Sequence, residues 1–240
     1  MINKIKKVIA ENKSSQKEIL SYLKEIEWGL LYNDSIRGNP SLQNLSLKIG
    51  RWAGNYSFFY VLNRILSDYK PINILEIGLG ESTKFISTFI ESELMKTNHV
   101  IVEQDQEWIN SFNNKFKLTT YSKIIFCPIK SENIKGHNSI VYSDLNEKVS
   151  NKFDLYVIDG PHGSERYSRY DIIKLANQFT TNDEFIIIFD DTNRKGEMDT
   201  VQDLITLLKS RNIMIHIGSY SGNKSQTIIA TEKYKLSISF

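Results

Sequence analysis

The chain has few of the residues that staple or punctuate small folds. Cys127 is the only cysteine among 240 residues, so no intrachain disulfide can form and no oxidising compartment is implied. Only four prolines occur, and no Pro/Gly/Ser-rich tract separates one half from the other, as a flexible linker between domains would. No apolar run approaches the roughly 20 residues needed to span a bilayer. The N-terminal MINKIKKVIAENKSS has neither a long apolar core nor a small-residue cleavage site. Charge of one sign is not in excess either: 30 basic against 28 acidic residues leave +2, too little to make nucleic acid or an anionic membrane the main partner. Lys4, Lys6, Lys7, Lys13 and Lys17 are offset by Glu11, Glu18, Glu25 and Glu27, the pattern of a solvated helix face. These absences predict a soluble, unprocessed, cytoplasmic globule without integral membrane association.

Up to about residue 70 the pattern is helical. Ile2, Ile5, Val8 and Ile9 recur at helical spacing, as do Ile19, Leu20, Leu23, Ile26 and Leu30. Gly38-Asn39-Pro40 breaks the run, and Pro71 stops a further amphipathic helix over 56–69. Beyond 71, short apolar runs alternate with helical stretches, which predicts βα units and a mostly parallel sheet. Strands are expected at 72–77, 100–103, 123–127, 153–158, 184–189, 213–217 and 227–231. Helices are expected at 82–92, 107–116, 168–177 and 198–211, with 139–142 as a short extra strand. The fold class is therefore α/β: a seven-stranded, mostly parallel sheet with an antiparallel C-terminal hairpin and helices on both faces. Residues 1–70 are expected as a helical cap on a 71–240 domain, the two forming one structural unit.

The first strand runs into Glu76-Ile-Gly-Leu-Gly-Glu-Ser-Thr83. Gly78 and Gly80 allow a tight turn and close approach of a ligand, and Ser82 or Thr83 can cap the helix that follows. Thr83 stands where a dinucleotide-binding turn would place its third glycine, which weighs against a nicotinamide cofactor. Glu76 is expected to point from the strand end into the crevice, where a carboxylate suits a cationic amine better than a pyrophosphate. Glu103 ends the second strand, where an acid can take the hydroxyls of a ribose. Together these features resemble the class I S-adenosylmethionine-dependent methyltransferases, over about residues 70–231. The resemblance implies a Rossmann-like domain in which Glu76, Gly78, Leu79 and Gly80 cradle the methionine part of the cofactor. Glu103 would bind its ribose, with Ser82, Thr83 and Gln104 completing the site.

Three acids stand at the ends of the fourth and fifth strands: Asp159 in FDLYVIDGPHG, and Asp190 and Asp191 in EFIIIFDDTNR. If the strands are neighbours these carboxylates converge, and such a cluster is either partly protonated or bridged by a hard cation such as Mg²⁺, Mn²⁺ or Ca²⁺. This pattern resembles the divalent-metal-dependent O-methyltransferases of the catechol and macrolide-sugar types. The resemblance implies a metal (Mg²⁺ or Mn²⁺) on Asp159, Asp190 and Asp191, and a general base three residues past the first acid, here His162. Glu81 is a candidate for a further ligand. An imidazole ordinarily titrates near 6.5, so His162 can accept a hydroxyl proton near neutral pH, with Asp159 beside it in the catalytic pair. His99, His137 and His216 have no such context.

Arg166, Tyr167, Arg169 and Tyr170 begin the next expected helix, and Arg194 and Lys195 follow the second acid pair. Arg166, Tyr167 and Arg194 are candidates to hold the phosphates of a nucleotide-linked sugar, and Trp52 and Tyr56 to cover the pocket. The expected activity is thus metal-assisted O-methylation of a sugar hydroxyl on a nucleotide-linked sugar or a surface polysaccharide precursor, by a possible homo-oligomer. Three alternatives stay open: a metal-independent methyltransferase acting on nitrogen or a small phenolic acceptor, an NAD-dependent oxidoreductase, and a non-catalytic S-adenosylmethionine-binding module.

Overall fold

The structure, a computed structural model, describes residues 2–94 and 96–240; the side chains of Ile2, Asn3 and Ile5 lie outside the described set. Three helices come first: Ile2–Ser35 (α1), Pro40–Gln43 (α2) and Tyr56–Tyr69 (α3). Asn39 caps α2 and Asn55 caps α3, each accepting a backbone N–H from three residues on. Lys70, in the left-handed region, ends α3 just before Pro71. There follow Asn73–Ile77 (β1), Glu81–Glu93 (α4), Asn98–Glu103 (β2), Gln106–Lys115 (α5), Ser122–Phe126 (β3), Ile129–Ile134 (β4), His137–Tyr142 (β5) and Leu145–Lys148 (α6). The chain closes with Leu155–Ile158 (β6), Asp171–Ala176 (α7), Ile186–Phe189 (β7), Lys195–Ser210 (α8), His216–Ser221 (β8), Ser225–Ala230 (β9) and a 3₁₀ turn over Glu232–Ile238.

Seven strands form one sheet in the order β3-β2-β1-β6-β7-β9-β8. The first five run parallel; β9 returns antiparallel to both β7 and β8, as the hairpin at the end of the sequence predicts. Every residue of β6 and β7 is buried, because both faces are covered and a central parallel strand has no solvent side. One face packs Ile74, Val157 and Ile188 against Phe58, Phe59 and Leu62 of α3 and Phe85 of α4. Tyr32, Ile36 and Leu42 from the N-terminal helices join this same core. The other face packs Leu75, Ile158 and Ile187 against Ile172 of α7 and Leu204 of α8. No helix among the described residues is long and apolar enough to cross a membrane.

Four elements differ from the expectations. The stripe Ile19, Leu20, Leu23, Ile26 and Leu30 is exposed; the inward face of α1 is instead set by Glu25, Trp28 and Tyr32, which meet α3 and the β8–β9 turn. The strand placed at 213–217 begins only at His216, with Ile213 buried ahead of it as an anchor. The helix placed at 168–177 shrinks to Asp171–Ala176, because Tyr167 and Arg169 adopt left-handed φ of 49° and 58°. Finally, 129–142 forms a complete hairpin, not a single strand, turning at Lys135-Gly136 with both φ positive.

Candidate active site

The turn after β1 reaches the loop after β6 with no side chain between them. Gly78 holds φ at +107°, which L side chains rarely adopt, and its N–H donates to Val102 O at 2.9 Å. The next amide, Leu79 N, donates to Glu103 Oε2 at 3.0 Å. Glu103 Oε1 accepts from Gln104 N at 2.8 Å and Asp105 N at 2.9 Å. A single buried carboxylate thus ties the end of β2 to the first turn. Trp108 Nε1 donates to Leu79 O at 2.8 Å, and Gly80 N donates to Thr83 Oγ1 at 3.0 Å at the start of α4.

A cavity of about 680 Å³ opens over this floor, in the size range of small-molecule sites. Gly78, Leu79, Gly80, Ser82, Glu103 and Gln104 line one side; Asp159, His162, Asp191 and Arg194 line the other. It sits at the carboxyl ends of β1 and β6, where the strand order reverses and ligands of open α/β sheets bind.

Glu76 does not reach the crevice. Strand alternation puts it on the same face as Ile74, where it is fully buried and its Oε2 stands 3.1 Å from His99 Nε2; His99 Nδ1 in turn stands 3.0 Å from Ser122 Oγ. His99 therefore has a context the sequence did not reveal, a partner one strand away in register with Ile74. Thr83 also lies off the cavity lining, its hydroxyl engaged at the start of α4.

Asp159, Asp190 and Asp191 do converge, each offering an oxygen within 4.8 Å of the others. The cluster also gathers cations. Arg169, 4% exposed, places Nη2 3.0 Å from Asp159 Oδ1 and 2.9 Å from Asp191 Oδ2. Its Nη1 donates to Asp190 O at 2.9 Å and Ile158 O at 3.3 Å, the carbonyls that end β7 and β6. Lys224, from the β8–β9 turn, sets Nζ 3.3 Å from Asp191 Oδ1 and 3.9 Å from Asp190 Oδ2, and donates to Ala53 O at 2.9 Å. Arg194 Nη1 is 3.1 Å from Asp191 Oδ2, and Gln226 Nε2 donates to Asp190 Oδ1 at 2.7 Å. Burial pushes the Asp159 carboxyl up to about 7; Arg169 pulls it down, and Asp190 and Asp191 push it up. Burial and then Asp191 raise Asp190, whereas for Asp191 burial is outweighed by Arg169, Lys224 and Arg194, which hold it below the usual range.

The donor set alone, hard carboxylate oxygens at close range, suits Mg²⁺ or Mn²⁺. The surroundings do not. A divalent ion among these acids would have to displace the Arg169 guanidinium from Asp159 and Asp191, which would strip Asp190 O of its donor and Ile158 O of one of two, the other being Asp190 N, at roughly 1.5–3 kcal/mol for each charge-assisted bond. A divalent ion therefore does not fit the arrangement.

The remaining candidates scatter. Arg166 pairs with Asp199 and lies over the Tyr167 ring, while Tyr167 packs against His137 and Lys135 of the β4–β5 hairpin; neither lines the cavity. Glu81 lines the cavity but stands apart from the acid cluster, meeting Lys84 Nζ at 2.6 Å and Lys48 N at 3.0 Å. Tyr56 packs on Tyr32 and is no lid, whereas Trp52, 96% exposed, stands at the cavity with Lys48 and Arg51. Sequence inspection missed the roles of Lys224, Gln226 and Trp108, and placed Arg169 only at the start of the next expected helix. The left-handed backbone at Tyr167 and at Arg169 itself, in SERYSRYD, turns it inward instead.

No protein-family model matches the chain, and no curated protein matches it. Solved structures do resemble it. A Klebsiella pneumoniae protein assigned as an O-methyltransferase superposes with a TM-score of 0.52 at 16% identity, covering 86% of this chain and 98% of its own. An O-methyltransferase from Bacillus cereus, in complex with S-adenosylhomocysteine, superposes with a TM-score of 0.50 at 12% identity, covering 84% and 91%. The architecture is accordingly the Rossmann-like fold of class I methyltransferases.

Proposed function

We propose that the protein is an S-adenosylmethionine-dependent O-methyltransferase acting on a sugar hydroxyl, on a nucleotide-linked sugar or a surface polysaccharide precursor. The observation that carries this reading is that one cavity joins the Gly78–Gly80 turn and Glu103 to Asp159 and His162. S-adenosylmethionine, when bound, supplies an electrophilic methyl group. The chain's own residues supply the rest. Glu103 has both oxygens at the cavity end of β2 and can accept from ribose hydroxyls beyond its three amide bonds, and Trp108 and Leu79 offer apolar surface for a base.

On the other side, His162 is exposed within the cavity lining and free to accept the acceptor's hydroxyl proton as its oxygen takes the methyl. Asp159 stands at the same loop, fixed by Arg169. Catalysis of this kind rests mainly on in-line positioning, and no step passes through a divalent ion. Lys48, Arg51 and Arg194 favour phosphates on the acceptor, and the exposed indole of Trp52 favours a planar base.

The test is a mass-spectrometric screen of nucleotide sugars with S-adenosylmethionine, scored for a gain of one methyl, with His162→Ala alongside. Loss of the base is expected to cost about 10²–10⁴ in turnover while leaving cofactor affinity unchanged. Product formation by His162→Ala at the wild-type rate rules out the base. Binding of a nicotinamide cofactor in preference to S-adenosylmethionine rules out the whole reading.

A further inference from the structure

The acids at the ends of β6 and β7 have an occupant already, and it comes from the chain. One nitrogen, Arg169 Nη2, stands 3.0 Å from Asp159 Oδ1 and 2.9 Å from Asp191 Oδ2, between two of the three acids that could hold an ion. We propose that this cluster is a cation site filled from within: the Arg169 guanidinium, backed by Lys224, stands where a divalent ion would bind, and the protein takes up no such ion there. The inference concerns metal uptake and holds whichever acceptor is methylated.

Three independent observations support it. The guanidinium is anchored, since Nη1 is committed to the carbonyls of Ile158 and Asp190 and the left-handed backbone at Arg169 (φ 58°) directs the side chain inward. The three acids already have three cations beside them, Arg169, Lys224 and Arg194, with the buried Glu197 a fourth carboxylate 3.9 Å from Arg169 Nε and 3.8 Å from Arg194 Nη1. And the cation is permanent: a guanidinium does not lose its proton in a protein, so no pH in the working range vacates the position for an ion. The consequence for the reaction is that Arg169 is a positioning residue, acting through Asp159 at the edge of the cavity.

Calorimetric titration of the 240-residue chain, dialysed against EDTA, with MnCl₂ and separately with MgCl₂ tests this. Wild type is expected to show no saturable heat at millimolar ion. Arg169→Gln vacates the position and is expected to gain Mn²⁺ affinity by about tenfold or more, and Arg169→Lys, which keeps the charge, to exclude the ion as wild type does. Lys224→Gln provides the same comparison from the rim if Arg169→Gln fails to fold, with a smaller gain expected. A one-to-one Mn²⁺ or Mg²⁺ isotherm in wild type, lost in Asp190→Asn, overturns the proposal. Because the readout is ion uptake, that result is distinct from a failure to find methyl transfer.

Discussion

Gly78 and Gly160 meet backbone to backbone: a Cβ on Gly160 would lie 2.9 Å from Gly78 Cα and 3.0 Å from Gly78 N, and one on Gly78 would lie 3.0 Å from the carbonyl carbon of Asp159. This contact sets the distance between the turn proposed to hold the cofactor and the loop that carries Asp159 and His162. Gly160→Ala must push the two apart, because its nearest neighbours are backbone atoms that cannot rotate away. A cost of about 1–3 kcal/mol is expected in denaturant unfolding, with cofactor affinity and turnover both reduced. A variant that unfolds and turns over like wild type would show that the spacing is not fixed by this contact.

Glu103 accepts three backbone amides, those of Leu79, Gln104 and Asp105. Glu103→Ala leaves them without their acceptor, and about 1–3 kcal/mol of stability is expected to be lost. Glu103→Gln keeps one acceptor oxygen and should recover part of that. If the same carboxylate also binds the ribose, calorimetry with S-adenosylmethionine will show weakening of at least about tenfold in both variants. Equal affinity in wild type and Glu103→Gln would confine the residue to holding the turn.

Much of this site was legible because its chemistry is local. Gly78 and Gly80 announce a βα turn, Glu103 marks the end of a strand, and the acids of FDLYVIDGPHG and EFIIIFDDTNR sit at the carboxyl ends of two buried runs. What balances those acids was not legible. SERYSRYD has the spacing of an amphipathic helix, and only the left-handed backbone at Tyr167 and Arg169 reveals that the arginine faces inward. Lys224 and Gln226 come from a hairpin far along the chain from Asp159. The β4–β5 hairpin was half missed because Ile129–Ile134 is mostly exposed and polar, without the alternation that marks a strand with one buried face. Glu76 illustrates the reverse error. A strand-end acid looked like a ligand, but period-two alternation with Ile74 already placed it on the face that meets His99.

Asp171 offers a pH test away from the cavity. Its carboxyl is buried, accepts from Tyr142 N at 3.1 Å, and is pushed by burial up to about 7 despite the opposing charge of Lys174. Between about pH 4 and 7 the folded protein keeps a proton that the unfolded chain has released. The stabilising contribution is therefore complete below about pH 4 and is lost as pH rises through 7, at up to about 1.4 kcal/mol per pH unit. Asp171→Asn stays neutral and can still accept from Tyr142. Urea unfolding at a series of pH values is expected to show this variant gaining on wild type up to about pH 7 and holding a constant margin above about pH 8. A margin independent of pH would mean that the acid is ionised throughout.

Trp52 separates recognition of the acceptor from that of the cofactor. At 96% exposed it makes almost no packing contribution, so Trp52→Ala is expected to leave unfolding within about 0.5 kcal/mol of wild type. It stands at the cavity beside Arg51, whose left-handed φ of 53° follows that of Gly50 in a loop whose Ala53 carbonyl is held by Lys224. If this loop stacks on the base and meets the phosphates of a nucleotide-linked sugar, Trp52→Ala should raise the KM for the acceptor by about tenfold, within the 1–3 kcal/mol of a base–aromatic stack. Arg51→Ala should make the acceptor KM less sensitive to salt, because it removes one screened charge contact. Neither should change the affinity for S-adenosylmethionine, whose proposed site is on the Gly78–Glu103 side. A rise in KM for the cofactor instead would place the indole over the donor half of the cavity, and the acceptor would then have to enter from the side of Arg194.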